Sequence, residues 1–463
     1  MTLEKRSLSL LPETLEILEK GFDSLPRISH SIDLDSIRKV LNEVALRMQD
    51  NYPYHHPNYI GQMLKPPHPI ARLAYTLSLW INPNNHALDG GRASSAMEKE
   101  AVAQIAKMFG WETFLGHLCG GGTMANLEAL WISRRLRPGQ KIVASQQAHY
   151  THGRICEVLN IPFESVAVDT NARMDLTSLK KALDKGNTGT VVVTIGTTAT
   201  GSLDPLPEIL EFQKLYGFRI HADAAYGGYF KLADNLDART REIYDVMCQV
   251  DSTVVDPHKH GLQPYGCGCV IFRDPSVGTF YKHDSPYTYF SSSELHLGEI
   301  SLECSRPGSS AVALWATQRL LPMVRGGAFA QDLADCRNAA LELFRRISSD
   351  SRFLTALRPE LDIIVWTMKS ESASESSRLA DEVFERASLS DLHLAKANLP
   401  MSLFQATWNN FTWDQNYVRC LRSVLMKSES LKFMDNIWDI LSKTVDEALN
   451  FSGKSKGEIS SDD

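Results

Sequence analysis

The chain has 463 residues, which is too many for one hydrophobic core, because cores stop growing at roughly 250 to 300 residues. Its hydrophobic fraction of 43% and charged fraction of 22% are ordinary for a globular protein and exclude a fibrous or disordered chain. The formal net charge is −7 and no lysine–arginine run exceeds a pair, so nucleic acid is not an expected partner. No stretch approaches the roughly 20 apolar residues of a membrane span. The N-terminal residues lack the apolar segment of a signal peptide, so we expect a cytoplasmic protein.

An N-terminal arm over residues 1–50 is predicted to hold two amphipathic helices. Apolar residues recur at three- and four-residue spacing in residues 11–22 and again in residues 33–49, and this spacing places them on one face of a helix. Residues 51–95 are rich in Pro, His, Asn and Gly around the helical segment RLAYTLSLW. We expect this stretch to form loops that border a site.

A large α/β domain is predicted over residues 51–325. From residue 96 to about residue 270, helical segments alternate with short apolar runs such as KIVASQQAH, TGTVVVTIGTT, RIHADAA and STVVDPH. This alternation is typical of a mostly parallel sheet that is buried on both faces. The strand-like segments DIIVWTM and LRSVLMK then lie among long helical patterns, which predicts a smaller α+β lobe over residues 326–450. The polar residues 451–463 are predicted to be a disordered tail.

Lys259 is the first candidate catalytic residue, because it lies in the loop DPHKHG that directly follows the apolar run TVV. Burial lowers the pKa of a lysine, and the neutral amine can form a Schiff base with an aldehyde. Asp223 ends the apolar strand of RIHADAAYGG, where a carboxylate can keep a pyridine nitrogen protonated. The spacing leaves room for one helix and one strand, so both side chains are predicted at the same edge of a parallel sheet.

Three consecutive glycines precede a predicted helix in LCGGGTMANLEALW. Backbone N–H groups and the helix dipole make the position before Thr123 an anion site. The segment lacks the lysine of a P-loop, and no GxGxxG is present, so a nucleotide is not the expected ligand. Two strand ends complete the set: His149 in VASQQAHYTHG can stack on an aromatic ring, and Thr198 in TIGTTATGSLDPL can donate a hydrogen bond beside it.

The eight cysteines are dispersed along the chain. Cys267 and Cys269 form the single close pair, with one residue between them rather than the two that zinc knuckles have. The alternating sequence YGCGCVIF predicts a strand with two small buried side chains. No metal site is therefore expected.

The ordered motifs CGGGTMAN, SQQAHYTH, GTTATGSLDPL, HADAAYGG and DPHKHG together resemble the group II pyridoxal phosphate (PLP)-dependent amino-acid decarboxylases, relatives of the glutamate, cysteine-sulfinate and aromatic-L-amino-acid enzymes. The resemblance covers roughly residues 50–450. It implies the fold type I architecture of PLP-dependent transferases, with a seven-stranded type of sheet in the large lobe. It also implies a homodimer with shared active sites, in which residues 281–305 reach into the neighbouring site.

The resemblance further implies a role for each motif. Lys259 would carry PLP, His149 would stack on its ring, Asp223 would pair with the pyridine nitrogen, and Ala225 would pack on the opposite face. Thr198 would lie beside the ring. The phosphate site would consist of Gly121, Gly122, Thr123 and His258.

Two positions of the lysine motif depart from this resemblance. Many relatives have asparagine where this chain has Asp256, and many have an aromatic residue where this chain has His260. A negative charge near a phosphate is costly unless the carboxylate is paired or points away. The role of Asp256 is therefore left open.

The catalytic loop of the family is similar to residues 281–305 and usually carries a tyrosine that delivers a proton after CO2 leaves. An ungapped count back from Arg306 puts Leu297 at that position. Tyr287, Tyr289 and His296 are therefore the alternative candidates for the proton donor, with Tyr289 slightly favoured.

Two further residues are candidates for substrate binding. Gln62 lies in HPNYIGQM, which is similar to the stretch whose glutamine reaches the substrate in glutamate and cysteine-sulfinate decarboxylases. Arg422 lies in LRSVLMK, which is similar to the strand that bears the family's late arginine. A guanidinium can bind a carboxylate through two hydrogen bonds, which favours an acidic substrate. Aromatic-specific relatives also carry an arginine in this strand, so this arginine distinguishes poorly between acidic and aromatic substrates.

The predicted function is PLP-dependent decarboxylation of an L-amino acid to its amine and CO2, with glutamate, aspartate or cysteine sulfinate as the favoured substrates. A tyrosine-type aromatic decarboxylase, a PLP lyase and an aldehyde synthase are the enzymatic alternatives. A catalytically silent PLP-binding dimer is the alternative from another class. The joint presence of Lys259, His149 and Asp223 argues against it, because a silent protein need not keep all three.

Overall fold

The computed structural model describes residues 3–29, 31–282, 300–355 and 357–458. Its helices are α1 (Leu10–Lys20), α2 (Leu34–Met48), α3 (Pro69–Ser78), α4 (Arg92–Phe109), α5 (Gly122–Leu136), α6 (Thr151–Val158), α7 (Leu176–Asp184), α8 (Leu206–Tyr216), α9 (Ala238–Asp245), α10 (Gly308–Leu320), α11 (Ala328–Ser348), α12 (Ala373–Leu389) and α13 (Met434–Glu458). Its strands are β1 (Leu115–Cys119), β2 (Lys141–Ser145), β3 (Phe163–Val166), β4 (Thr188–Thr194), β5 (Arg219–Asp223), β6 (Ser252–Val255), β7 (Gly268–Phe272), β8 (Phe353–Thr355), β9 (Ile363–Met368), β10 (Ala395–Pro400) and β11 (Tyr417–Val424).

The larger sheet contains seven of the described strands, in the order β1-β7-β6-β5-β4-β2-β3. The pairs from β3 through β6 are parallel, and β7 runs antiparallel to both β6 and β1. The mostly parallel sheet predicted from the apolar runs is confirmed. The strands β1 and β3 were not expected, because each is short and lies between helical patterns.

Parallel pairing places the carboxyl ends of β4, β5 and β6 at one edge of this sheet. Thr194 is paired with Asp223, and Asp223 with Val254, so these strands end side by side. In an open α/β sheet, ligands bind beyond the carboxyl ends of the strands. The fold therefore brings the segments after these strands, including Asp223 and the DPHKHG loop, to a single edge.

The smaller sheet is antiparallel, in the order β10-β11-β9-β8. It packs against α11 and α12, and its apolar core includes residues of α13. The smaller sheet meets the loop before α3, because Val424 N–H donates to the carbonyl oxygen of Ile60 at 2.7 Å. This contact positions the segment that carries Gln62 beside the strand that carries Arg422.

The two ends of the described chain differ from the interior. The predicted N-terminal helices are present as α1 and α2, and neither helix buries any residue. At the other end, α13 continues to Glu458 and so runs into the residues that the sequence assigns to a disordered tail. None of the described helices combines the length and apolar character of a membrane span.

Candidate active site

A cavity of about 510 Å³ lies at the carboxyl edge of the larger sheet. Its wall contains the nine residues that the sequence assigns to the cofactor, namely Gly121, Gly122, Thr123, His149, Thr198, Asp223, Ala225, His258 and Lys259. The structure therefore brings together side chains from five separate motifs. Their individual roles stay predictions.

The glycine turn between β1 and α5 forms one wall of the cavity. Gly121 has a φ of +146°, a conformation that favours glycine, and Gly268 of β7 packs directly against its backbone. Gly121 has no side chain to cap α5, so the first N–H groups of this helix are open to a ligand. The Gly120 N–H already binds an anionic group, because it donates to both carboxylate oxygens of Glu303, at 2.9 and 3.1 Å. These features fit a bound phosphate.

Lys259 is paired with a carboxylate of its own motif. Its Nζ lies 3.0 Å from Oδ2 of Asp256, and His258 Nε2 lies 3.6 Å from the same oxygen. The His258 ring is fixed from its other side, because Nδ1 donates to the carbonyl oxygen of Cys267 at 2.8 Å. Burial lowers the pKa of His258, which favours the neutral ring. The open question about Asp256 is thus answered in part: its carboxylate faces the lysine.

Asp223 accepts hydrogen bonds on both of its oxygens. His152 Nε2 lies 2.8 Å from Oδ2, and Asn126 Nδ2 donates to the same oxygen at 3.2 Å. The Ala225 N–H donates to Oδ1 at 3.2 Å. Burial alone would raise the pKa of Asp223, but the hydrogen bond and charge of His152, with a smaller contribution from Lys259, hold it well below its usual range. Asp223 therefore stays ionised in the interior of the protein.

A second layer of polar contacts holds Asn126. His221 Nε2 donates to Asn126 Oδ1 at 2.8 Å, and Ser252 Oγ donates to His221 Nδ1 at 2.8 Å. Burial lowers the pKa of His221 to about 3, so the ring is neutral at physiological pH. The neutral ring fixes the Asn126 amide with its NH2 group toward Asp223.

His149 is held by the first turn of α6. Its Nδ1 accepts from the Thr151 N–H at 3.4 Å and lies 2.7 Å from the Thr151 hydroxyl, which leaves the proton on Nε2. The ring lies 4.5 Å from the ring of Tyr150 at a tilt of 32°. Burial lowers the pKa of His149, so the imidazole is neutral and can stack on another aromatic ring.

Two buried polar atoms of the cavity wall have no partner within the described part of the chain. They are Thr194 Oγ1 and Asp256 Oδ1. Buried polar groups are normally hydrogen-bonded, so such atoms are expected where a ligand binds. Together with the lysine, the ionised Asp223 and the glycine turn, they fit a polar ring that carries a phosphate.

Gln62 and Arg422 lie next to this cavity and contact each other. Arg422 Nη2 donates to Gln62 Oε1 at 2.6 Å, and Nη1 donates to the carbonyl oxygen of Thr198 at 2.9 Å. Arg422 is 6% exposed, burial lowers its pKa, and its Nε has no partner in the described ranges. No described carboxylate lies within ion-pair distance of its guanidinium.

The predicted proton donors Tyr287, Tyr289 and His296 lie outside the described residues. The described ends of that segment contact α5 and the turn before it: Tyr281 donates its hydroxyl to Glu128 Oε2 of α5 at 3.0 Å, and Glu303 binds the glycine turn. Sequence reasoning did not select Glu303, Asn126, His152 or Thr194. Of these, Asn126 lies inside the motif CGGGTMAN and His152 inside SQQAHYTH, so the motifs contained them without indicating a role.

His260 and the cysteine pair lie away from the cavity wall. His260 Nε2 is 3.1 Å from Asp362 Oδ2, and both side chains are fully buried. Cys267 and Cys269 are also fully buried, as the strand pattern predicts, and burial raises the pKa of both thiols. Among the described residues, no group of three or more His, Cys, Asp or Glu side chains is placed to hold a metal ion.

The known proteins that this chain resembles are amino-acid decarboxylases. A family model described as "Pyridoxal-dependent decarboxylase conserved domain" matches residues 127–369. An L-tyrosine decarboxylase of Enterococcus faecium is 24% identical over 82% of this chain and 80% of its own length. A probable L-tyrosine/L-aspartate decarboxylase of Methanothermobacter thermautotrophicus is 30% identical over 56% of this chain and 70% of its own length. An L-aspartate decarboxylase of Thermococcus kodakarensis is 27% identical over 61% and 72%, respectively.

Solved structures give the same fold at lower identity. Mouse CSAD in its apo form superposes with a TM-score of 0.75 and 18% identity, covering 92% of this chain and 91% of that chain. Oryza sativa TDC with PLP and tryptamine superposes with a TM-score of 0.76 and 17% identity, covering 96% and 99%. The predicted fold type I architecture is thereby confirmed.

Proposed function

Because the chain belongs to the pyridoxal-dependent decarboxylase family, and so is a PLP-dependent amino-acid decarboxylase, we propose that its substrate is an L-amino acid with an acidic side chain, with aspartate favoured. The proposed substrate class rests on one observation: the buried Arg422 guanidinium beside the cavity has no carboxylate partner among the described residues. A buried cation without a counter-ion is costly, and a substrate carboxylate would relieve this cost. The names of two relatives, an L-aspartate decarboxylase and a probable L-tyrosine/L-aspartate decarboxylase, support the choice of aspartate among the acids.

Different residues of the cavity would hold different parts of the cofactor. Lys259 would hold PLP covalently through Nζ, and the glycine turn with Thr123 and His258 would bind its phosphate. Asp223 would keep a proton on the pyridine nitrogen, because its own carboxylate is held ionised by His152 and Asn126. When bound, the cofactor supplies a protonated ring that accepts the electrons of the broken Cα–carboxylate bond.

The remaining residues orient the reacting groups. The neutral His149 would cover one face of the ring and exclude water, and the small side chain of Ala225 would leave room on the other face. Thr198 would lie beside the ring, while its carbonyl oxygen holds Arg422 in place. Gln62 fixes the other side of the guanidinium, and its buried Nε has no hydrogen-bond partner among the described residues. Tyr287, Tyr289 and His296 stay the predicted sources of the proton that replaces the carboxylate at Cα.

The substrate proposal is tested by measuring CO2 release from aspartate, glutamate, cysteine sulfinate and tyrosine. We expect aspartate to have the highest kcat/KM, and Arg422→Met to lower it at least ~30-fold, corresponding to about 2 kcal/mol. Arg419→Met is the matched control, because Arg419 lies on the same strand but binds Asn398 and Asp381 outside the cavity. A higher kcat/KM for tyrosine than for every acid would contradict the proposal. Recovery of aldehyde with ammonia and peroxide, in place of amine, would identify an aldehyde synthase.

We also propose that two copies of the chain associate through the N-terminal arm. The helix α2 exposes a continuous series of apolar residues, consisting of Leu34, Ile37, Val40, Leu41, Val44, Leu46 and Met48. A second apolar surface lies between α1 and the end of α3, where Leu15, Phe22, Trp80 and Ile81 line a groove of about 350 Å³. Exposed apolar surfaces of this extent mark interfaces, and a second copy supplies a matching face by two-fold symmetry.

The association is tested by light scattering. Val40→Glu together with Val44→Glu is expected to convert a dimer to a monomer, because both side chains lie on the exposed face of α2. Leu389→Glu is the control, since Leu389 is an isolated apolar residue on α12 with 88% exposure. A monomeric wild-type protein at micromolar concentration would contradict the proposal. The predicted reach of residues 281–305 into a neighbouring site would require this dimer.

The cytoplasm stays the proposed location. All eight cysteines are free thiols in the structure, including the exposed Cys304. Free thiols are typical of a reducing compartment. Fractionation of cells of the source organism tests this location, and recovery of the protein outside the cytoplasm would contradict it.

A further inference from the structure

Asp256 is a buried carboxylate between the lysine of the cavity and the first turn of α5. It is 2% exposed, and a Cβ atom added to Gly122 would lie 2.8 Å from Oδ2. The carboxylate therefore contacts the helix terminus that would bind the cofactor phosphate. Its Oδ1 has no hydrogen-bond partner among the described residues.

The charges around Asp256 are balanced without a phosphate. Lys259 Nζ, at 3.0 Å, supplies one positive charge against the one negative charge of the carboxylate. Burial lowers the pKa of His258 and of His149, so neither ring adds a positive charge near neutral pH. The other titratable groups that face Asp256 are Tyr229, Tyr265, Cys267 and Cys269, and burial raises the pKa of each, so all four are uncharged.

A phosphate at this helix terminus adds one or two negative charges beside a carboxylate that is already paired. Two like charges in a shared buried site do not both stay ionised, and one of them takes up a proton. Phosphate has its second pKa near 6, so above neutral pH it arrives as the dianion. Glu303 also lies at this turn, but both of its oxygens accept from the Gly120 N–H, so the carboxylate with an unpaired oxygen is Asp256, at Oδ1.

We propose that Asp256 takes up one proton from solvent when the cofactor phosphate binds, which makes cofactor capture proton-linked in this enzyme. The protonated carboxyl group then donates a hydrogen bond through the oxygen that has no partner in the free protein. An asparagine at this position, as in many relatives, would bind the phosphate without this proton. The inference rests on the proposed placement of the phosphate at the glycine turn.

The test measures proton uptake directly, by calorimetry with pyridoxamine 5′-phosphate in two buffers of different ionisation enthalpy at pH 8. This probe carries the phosphate and the ring but has no aldehyde, so it does not react with Lys259. Wild-type protein is expected to take up about one proton more than Asp256→Asn. The affinity of the wild type is also expected to fall roughly tenfold per pH unit relative to that of the variant, between pH 7 and pH 9.

Each outcome separates this inference from the proposed function. Equal proton uptake by wild type and Asp256→Asn, with both binding the probe, overturns the role of Asp256 and leaves the decarboxylase assignment intact. Failure of folded wild-type protein to bind the probe overturns the placement of the phosphate itself. If Asp256→Asn does not fold, Asp256→Ser is measured in its place. In whichever variant is measured, a proton uptake that differs from that of the wild type by less than about half a proton at pH 8 contradicts the proposal.

Discussion

Asp223 and Asp256 are both buried carboxylates in the wall of one cavity, yet their surroundings differ. At the ring end, around Asp223, both carboxylate oxygens accept hydrogen bonds, and a second layer through His221 holds the donors in place. At the phosphate end, around Asp256, one oxygen lacks a partner among the described residues, and the other faces Lys259. The ring end is therefore preorganised before any ligand binds, whereas the phosphate end is expected to change its charge when the cofactor arrives.

This difference follows from what each end must do. A group that keeps a proton on a pyridine nitrogen works best when its charge is constant, which requires fixed donors around it. A lysine that binds an aldehyde must give up a proton, so its neighbours have to allow a change of charge. Four variants test this contrast, from the largest expected effect to the smallest.

Lys259→Arg is expected to have the largest effect. Arginine keeps the positive charge beside Asp256 but cannot attach the cofactor, so CO2 release should fall at least ~10³-fold, or about 4 kcal/mol. Lys231→Arg is the control, because Lys231 is a partly buried lysine that donates to the carbonyl oxygen of Tyr244 instead of facing the cavity. Steady-state CO2 release measures both variants. Activity of Lys259→Arg within tenfold of wild type would refute the role of the lysine.

Asp223→Asn removes the constant charge at the ring end with little change of shape. We expect turnover to fall at least ~10²-fold, or about 2.7 kcal/mol of transition-state stabilisation, with near-normal folding. Asp204→Asn is the matched control, because Asp204 is equally buried but does not line the cavity and accepts from the backbone N–H groups of Thr194 and Met174. Near-normal turnover in Asp223→Asn would show that the ring end does not act through this charge.

His152→Asn tests whether the donors around Asp223 set its charge. The histidine holds the pKa of Asp223 below its usual range, so its loss should raise that pKa toward the value that burial favours. Asp223 would then take up a proton as the pH falls, and the acid limb of the kcat profile should move to higher pH. We expect a loss of ~10-fold at pH 5.5 and a smaller loss at pH 8, which requires the pKa of Asp223 in the variant to lie about one unit above pH 5.5. An unchanged pH profile of kcat would mean that His152 does not set the pKa of Asp223.

His221→Gln should change stability rather than chemistry. Glutamine can still donate to Asn126, but it does not titrate. In the wild type the folded pKa of His221 is about 3, and that of an unfolded histidine is about 6.5. The neutral His221 ring therefore leaves the free energy of unfolding undiminished above pH 6.5. As the pH falls from 6.5 toward 3, the free energy of unfolding decreases by about 1.4 kcal/mol per pH unit.

The measurement for His221→Gln is the free energy of unfolding of both proteins at pH 7.5 and pH 5.5. Burial raises the pKa of Asp204 to about 7, but this group titrates equally in both proteins, so it cancels in the difference. The wild type should lose about 1.4 kcal/mol relative to the variant over this interval. A constant difference between the two proteins would mean that His221 is not neutral in the fold.

The sequence was enough to locate the cavity but not its supporting contacts. Asp223, Lys259, His149 and Thr198 each follow a buried strand or its loop, and parallel pairing necessarily brings such positions to one edge. The glycine turn was also recognisable as a candidate anion site, because three consecutive glycines precede a predicted helix. These features depend on local pattern and on a sheet rule that holds across folds.

The supporting contacts depend on pairs that are distant in sequence. Asn126 reaches Asp223 across 97 positions and His221 across 95, and His152 reaches Asp223 across 71. No local periodicity encodes such pairings. The short strands β1 and β3 were missed for a related reason: each is held by its neighbours in the sheet rather than by a strong apolar run of its own.

The central claim is that Lys259 is the residue that carries the cofactor, and peptide mapping after borohydride reduction tests it most directly. The protein is saturated with PLP, reduced and digested, and the phosphopyridoxyl mass is located by fragmentation. We predict the label on the peptide that contains Lys259. Lys427 is the strongest competitor, because it is buried and burial lowers its pKa to about 7. A label on Lys427, or on any lysine other than Lys259, would contradict the account of this cavity.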